Sequence, residues 1–110
     1  MTKDIIDPTV FEELCAAMGE DFVRELAATF LDDAENMFAE LKGSVKNQDA
    51  DTYRRAAHSI KSNAQTFGAI TLSEQARDIE LSGEIDGAAV DVLRATFDQT
   101  ATALTGLLNG

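Results

Sequence analysis

The sequence predicts an all-α fold: an antiparallel up-down four-helix bundle with a short extra N-terminal helix. Three observations point there. Apolar residues recur at three- and four-residue spacing along most of the chain, and no stretch alternates with the two-residue period of a strand. Only one proline stands in 110 residues, and it falls where the first helix should begin. The segments between the periodic stretches are short, so successive helices are antiparallel neighbours. A chain of this length builds one domain around one core, read here as residues 1–110.

The elements follow in order. Residues up to Ile6 read as extended or frayed. Asp7-Pro8 is a helix start, an N-cap acid followed by proline at the first helical position. The first helix covers residues 8–18, with Val10, Phe11, Leu14, Cys15 and Met18 as its stripe and Gly19 as its end. The second covers 20–46. Acids open it and Lys42 and Lys46 close it, which suits the helix dipole. Its inward residues are Phe22, Val23, Leu26, Phe30, Met37, Phe38, Leu41 and Val45, a pattern that core packing explains better than a cofactor pocket. The third covers 50–67, capped by Asp49 or Asp51 and ended by Gly68. The fourth covers 70–82 with Leu72, Ala76, Ile79 and Leu81 inward. The fifth covers 87–108, with Asp86 as N-cap and Val90, Leu93, Phe97, Ala101, Leu104 and Leu108 inward. Thr96, Thr100, Thr102 and Thr105 are weak helix formers, so packing must hold this helix.

Composition excludes several classes of function. A net charge of −11 argues against nucleic acid and anionic membrane as partners. No apolar run approaches the ~18 residues of a membrane span, and no signal peptide is visible. Cys15 is alone, so no disulfide framework exists, and the cytoplasm fits best. Asp32, Asp33, Glu35 and Glu40 read as a solvated face. No metal site is expected, because no histidine lies near them and no calcium-loop motif is present. There is no glycine-rich phosphate loop and no Ser-His-Asp or Cys-His set, so an ordinary enzyme or an autonomous kinase is not expected.

The informative stretch is residues 52–73. It holds the one histidine, His58, with three basic residues and no acid, although the chain has 20 Asp and Glu. Tyr53, Ala56, Ala57, Ile60, Ala64 and Phe67 form a buried stripe within about 60° either side of Tyr53 on the helical wheel. His58 then falls at about 140°, Arg54 at about 100°, Lys61 at about 80°, Gln65 at about 120° and Ser62 at about 180°. The imidazole should face water with a cation one turn before it and one turn after it. An exposed neutral imidazole is a nitrogen nucleophile near neutral pH. A phosphoryl group brings close to two negative charges and three acceptor oxygens, which Lys61 and Arg54 would balance. The pattern suits a histidine that accepts and donates phosphate, although a lone surface histidine near cations is also an ordinary feature of a helix.

Ala57-His58-Ser59-Ile60-Lys61-Ser62 followed by Phe67-Gly68-Ala69 resembles the signature of histidine-containing phosphotransfer domains. The likeness covers a frame of about 13 residues; beyond it, only length and helix order agree. The resemblance implies a small helical bundle that carries phosphate between receiver-domain aspartates. It implies that His58 is phosphorylated and that Lys61 steadies the phosphate. Arg54 and Gln65 join them on the same face. Arg55, Ser62 and Gly68 are the candidate partner-binding residues, and Phe11, Ile5 and Ile6 the candidate apolar docking residues. The expected partners are receiver domains, the expected state is a monomer, and no cofactor is expected beyond magnesium on the receiver. Two departures stand out. Ser62 occupies a position often held by glycine, and its hydroxyl is free to bond back to the preceding turn. Where many relatives place a glutamine near the imidazole, this chain offers Glu80, with Gln75 nearby. The competing function is a helical adaptor that binds an acidic partner through Arg54, Arg55 and Lys61 without chemistry.

Overall fold

A computed structural model describes residues 5–109. The expected extended start falls mostly on residues outside that range. The described chain forms α1 (Pro8–Met18), α2 (Glu20–Asn47), α3 (Ala50–Thr66), α4 (Ile70–Ser82) and α5 (Gly87–Asn109). Helix α3 packs against α2 and α4, and α5 closes the ring by packing against the same two helices. This is the antiparallel four-helix bundle, with α1 laid against α2.

Each start and stop has a local cause. Asp7 caps α1, its carboxylate accepting the Thr9 N–H at 2.9 Å. Asp49, not Asp51, caps α3 through the Thr52 N–H and hydroxyl. Asp86 does the same for α5 through the Ala88 N–H. Helix α2 runs one residue further than expected because Gln48, at φ 55°, takes the left-handed turn that ends it. Helix α3 stops one residue sooner, since Phe67 is its cap residue at ψ 1° and Gly68 turns the chain at φ +73°.

The core is the predicted one with a few exchanges. Ala57, Ile60 and Ala64 on α3 and Leu41, Leu72, Leu93 and Leu104 around them are wholly buried. Phe30 stacks on Phe67 at 5.4 Å between centroids and meets Phe97 edge-on at 5.9 Å. Phe97 also packs against Phe38 at 5.4 Å. Thr96 and Thr100 are buried, and the Thr100 hydroxyl donates to the Thr96 carbonyl at 2.8 Å, so the Thr100 hydroxyl is not left unbonded. Three expected inward residues are exposed: Met18, Phe22 and Leu81. Met18 and Phe22 flank the Gly19 bend where α1 and α2 meet, which turns both away from the core. Leu81 sits about 180° round α4 from Leu72, opposite the buried Leu72–Ala76–Ile79 stripe. Conversely Ile6, a candidate docking residue, is buried, Phe11 is buried as its place in the α1 stripe predicts and not open for docking, and Ile5 is half-buried against the core. Glu35 is also not a free acid. Arg94 of α5 clamps it with two bonds of 2.8 and 2.9 Å while lying over Phe38 and Phe97. That bond to Arg94 holds the Glu35 carboxyl below its ordinary range.

Helix α1 is seated by Gly68. The Asp7 N–H donates to the Gly68 carbonyl at 2.8 Å. A Cβ on Gly68 would lie 2.8 Å from the Val10 Cβ and 3.2 Å from the Asp7 carbonyl oxygen. Gly68→Ala should therefore lower stability by about 2 kcal/mol or more, combining a left-handed alanine with a backbone-side clash. Phe97→Ala should cost about 3–5 kcal/mol by removing the central ring of the aromatic cluster. Urea unfolding followed by circular dichroism measures both, and a Gly68→Ala protein as stable as wild type would contradict the seat described here.

Candidate functional site

The site is built on the middle of α3. Burial of Tyr53, Ala56, Ala57, Ile60 and Ala64 fixes the helix rotation and turns His58 outward, with its side chain 58% exposed. Across from it runs α4, whose buried Leu72, Ser73, Ala76 and Ile79 hold the opposite face. Ile79 anchors the next residue, Glu80, at the groove between the two helices.

Glu80 joins the site together. Its Oε2 lies 2.5 Å from His58 Nδ1, and its Oε1 accepts from Lys61 Nζ at 2.6 Å. The side chains of Lys61 and Glu80 are only 20% and 15% exposed, so this pair is partly shielded from water where the imidazole is not. The bond from Lys61, followed by those from His58, holds the Glu80 carboxyl below the usual glutamate range against the opposing effect of burial. Glu80 is therefore ionised at neutral pH and can only accept. The proton between Glu80 and the ring belongs to Nδ1, which leaves Nε2 as the ring's lone-pair nitrogen. No described residue bonds to Nε2.

The other expected residues divide. Lys61 is where the reading placed it, one turn beyond His58, but it is already engaged by a carboxylate. Arg54 is exposed and turned back to Asp51 at 3.3 Å, so it does not touch the ring. It lines a small cavity of about 100 Å³ together with Glu80 and Glu84. The imidazole thus lies beside one cation and one anion, and not between two cations. Gln65 is exposed but about 10 Å further along the helix axis from His58, two turns away. Arg55 is exposed and its charge reaches Asp49. Ser62 is exposed one turn after His58, and its carbonyl accepts the Thr66 hydroxyl at 3.3 Å. The expected back-bond from the Ser62 hydroxyl is not made. Gly68 does not share this face, because it is buried under α1.

Glu80 is the residue to which the sequence reading assigned no role. A signal for it exists. The turn between α3 and α4 is centred near Ala69, and His58 and Glu80 each lie 11 residues from it. Two antiparallel helices folded about that point bring the two side chains level. Gln75 lies about 140° round α4 from Glu80. It faces a cavity of about 340 Å³ between α4 and α5, lined also by Tyr53, Ile79 and Val92. It is not beside the imidazole.

Helical bundle, outward imidazole, lysine one turn on and the surrounding motif define a phosphate-carrying class of protein. The chain belongs to the Hpt family: the model of the Hpt domain matches residues 25–103. Hpt domains are phosphocarriers of two-component phosphorelays and not kinases. Among solved structures it is similar to histidine-containing phosphotransfer protein B (HptB) of Pseudomonas aeruginosa PAO1. The TM-score is 0.90 with 25% identity over 98% of this chain and 97% of that one. Among characterised proteins it is similar to the sensory/regulatory protein RpfC of two strains of Xanthomonas campestris pv. campestris. Identity is 31% over 67 residues, 60% of this chain but 9% of the relative's length. Hpt domains in phosphorelays interact with receiver domains. Among the described residues no helix is long and apolar enough to cross a membrane.

The Lys61–Glu80–His58 contacts also make a pH prediction. A carboxyl held low contributes stability above the ordinary glutamate value of about 4.3, and that contribution disappears as pH falls through the lower folded value. Glu80→Gln should therefore melt below wild type at neutral pH, and the gap should shrink as the pH falls below the ordinary glutamate range. Thermal melts across that range check the sign.

Proposed function

We propose that His58 is the residue that carries phosphate, taking it from the aspartate of one receiver domain and passing it to another. The observation that carries this reading is the solvent-facing imidazole whose Nδ1 is held by a carboxylate while Nε2 stays open. In loading, the Nε2 electron pair forms a bond to phosphorus as the bond from phosphorus to the aspartate oxygen breaks. The aspartate leaves as a carboxylate. The transition state is loose and in line, so its charge matters more than any covalent help. Lys61 is the cation placed to meet it. Arg54, released from the exposed and weak pair with Asp51, is the second. Gln65 and Arg55, further along and around α3, act in receiver docking more than on the phosphate. Ser62 is small enough to let a partner's backbone approach.

The receiver brings the magnesium ion and most of the catalysis, and this chain brings nucleophile, cation and docking face. It has no ATP-binding motif, so it does not phosphorylate itself. The basic segment is the one region of an acidic protein that attracts an acidic receiver site. A cytoplasmic monomer fits this role.

The test is transfer of labelled phosphate from a panel of receivers to wild type and His58→Gln. Label that is acid-labile, alkali-stable and confined to wild type is expected. Lys61→Ala should slow transfer by about tenfold or more, equivalent to about 1.4 kcal/mol in the barrier. Arg55→Ala should have a smaller effect. A receiver that binds wild type and His58→Gln equally well yet transfers no label would favour the non-catalytic adaptor.

A further inference from the structure

We propose that Glu80 sets the lifetime of the phosphate on His58, by keeping a proton on Nδ1 while the phosphoryl group sits on Nε2. The proposal rests on the phosphocarrier reading and concerns how quickly the carrier gives its cargo away. It makes Glu80 a positioning residue: it acts through the ring and does not touch the phosphoryl group.

The geometry leads there in three steps. First, the carboxylate and Nδ1 are 2.5 Å apart, a short charge-assisted contact. Second, Glu80 is held in place without the ring. Lys61 binds its other oxygen at 2.6 Å, and its neighbour Ile79 is 5% exposed in the core. The carboxylate therefore stays beside Nδ1 when the ring is modified. Third, the ring charge changes on loading. The Nδ1 proton remains while Nε2 becomes bonded to phosphorus, so the ring becomes cationic and Glu80 is the anion facing it.

That proton decides how the phosphate leaves. On unloading, the bond between phosphorus and nitrogen breaks and its electron pair returns to Nε2. The phosphoryl group goes to an aspartate oxygen of the second receiver, or to water. With Nδ1 protonated the departing group is a neutral imidazole. Without that proton it is an imidazolate, a far poorer leaving group. An amide in place of Glu80 could accept the same bond but would bring no charge to hold the proton as pH rises.

On α3, Lys61 is bonded to Glu80, Arg54 is turned to Asp51, and the exposed Arg55 lies one turn before His58; on α4, Glu80 bonds to the ring and the exposed Arg77 lies one turn before Glu80. Among the described residues no charged side chain of α2 or α5 bonds to the imidazole. Glu80 is the anion that holds the Nδ1 proton.

The full chain can be loaded without any receiver, using inorganic phosphoramidate as phosphoryl donor. Phosphorus NMR then reports which ring nitrogen is modified and how long the adduct lasts. We expect Nε2 to be modified in wild type and in Glu80→Gln. At about pH 8 the adduct of Glu80→Gln should last several-fold longer than that of wild type. The two lifetimes should converge in acid solution. In the unloaded wild type, nitrogen NMR should show the hydrogen on Nδ1. Equal lifetimes at every pH would overturn the proposal. A longer lifetime that is independent of pH would also overturn it, since Glu80 would then act by charge repulsion and not through the proton. Loading of wild type on Nδ1, or no loading of His58, would mean that the ring does not present Nε2 and would overturn it as well. A chain that loads and decays as expected but exchanges phosphate with no receiver would leave this inference standing and remove the relay reading instead.

Discussion

Helix α3 is held on two sides because its apolar stripe is almost fully buried, and that burial governs what the rest of the molecule can do. Tyr53 and Ala56 are 3% and 2% exposed, and Ala57, Ile60 and Ala64 not at all. Three of the five are alanines, so α2 and α4 approach the helix closely. Advancing the buried set by one residue would bring in Arg54, Ala57, His58, Lys61 and Gln65. The functional face is the core face rotated by about 100°. A slip of that size would bury two cations and an imidazole at several kcal/mol each, so the rotation is locked by the cost of the alternative.

The same constraint gives the site its electrostatic character. Helix α4 is bound to α3 by a turn of three residues, Phe67 to Ala69, and its own stripe is buried through Ile79. Glu80 then has nowhere to lie except at the groove beside His58 and Lys61. The basic segment looks free of acids along the chain, yet the fold returns one carboxylate to its centre. That carboxylate fixes the tautomer of the ring and occupies the lysine before any phosphate arrives. The site is a balanced trio, and its net field toward a receiver is weaker than the three cations of residues 52–73 suggest.

Support for this arrangement comes from elements that do not touch it. The aromatic cluster of Phe30, Phe38, Phe67 and Phe97 ties α2 and α5 to the end of α3. Arg94 covers that cluster and is itself fixed by Glu35. Helix α1 sits on the glycine that ends α3, with Val10 and the Asp7 carbonyl packed against Gly68. Tyr53 links the start of α3 to the start of α5, since its hydroxyl accepts the Asp86 N–H at 3.1 Å. These contacts stiffen the bundle around a surface that is left open.

The sequence by itself determined the five helices, their ends to within about a residue and the outward direction of His58, because periodicity and capping are local properties read within a few residues. It also determined the family, since a fixed frame of residues around His58 carries it. It misassigned Phe22, Met18 and Leu81 as inward and Ile6 as available, while Phe11 is buried as its stripe predicted. Periodicity marks an apolar face, but only the neighbouring elements decide whether that face is covered. Arg54 and Lys61 are similarly placed on the wheel, but Arg54 has Asp51 one turn before it on the same helix, a local pair. The carboxylate that engages Lys61 lies on another helix and is supplied by the tertiary structure. The partnership of His58 with Glu80, 22 residues apart, was decided by the antiparallel register of α3 and α4, a relation between helices that no single helical pattern contains.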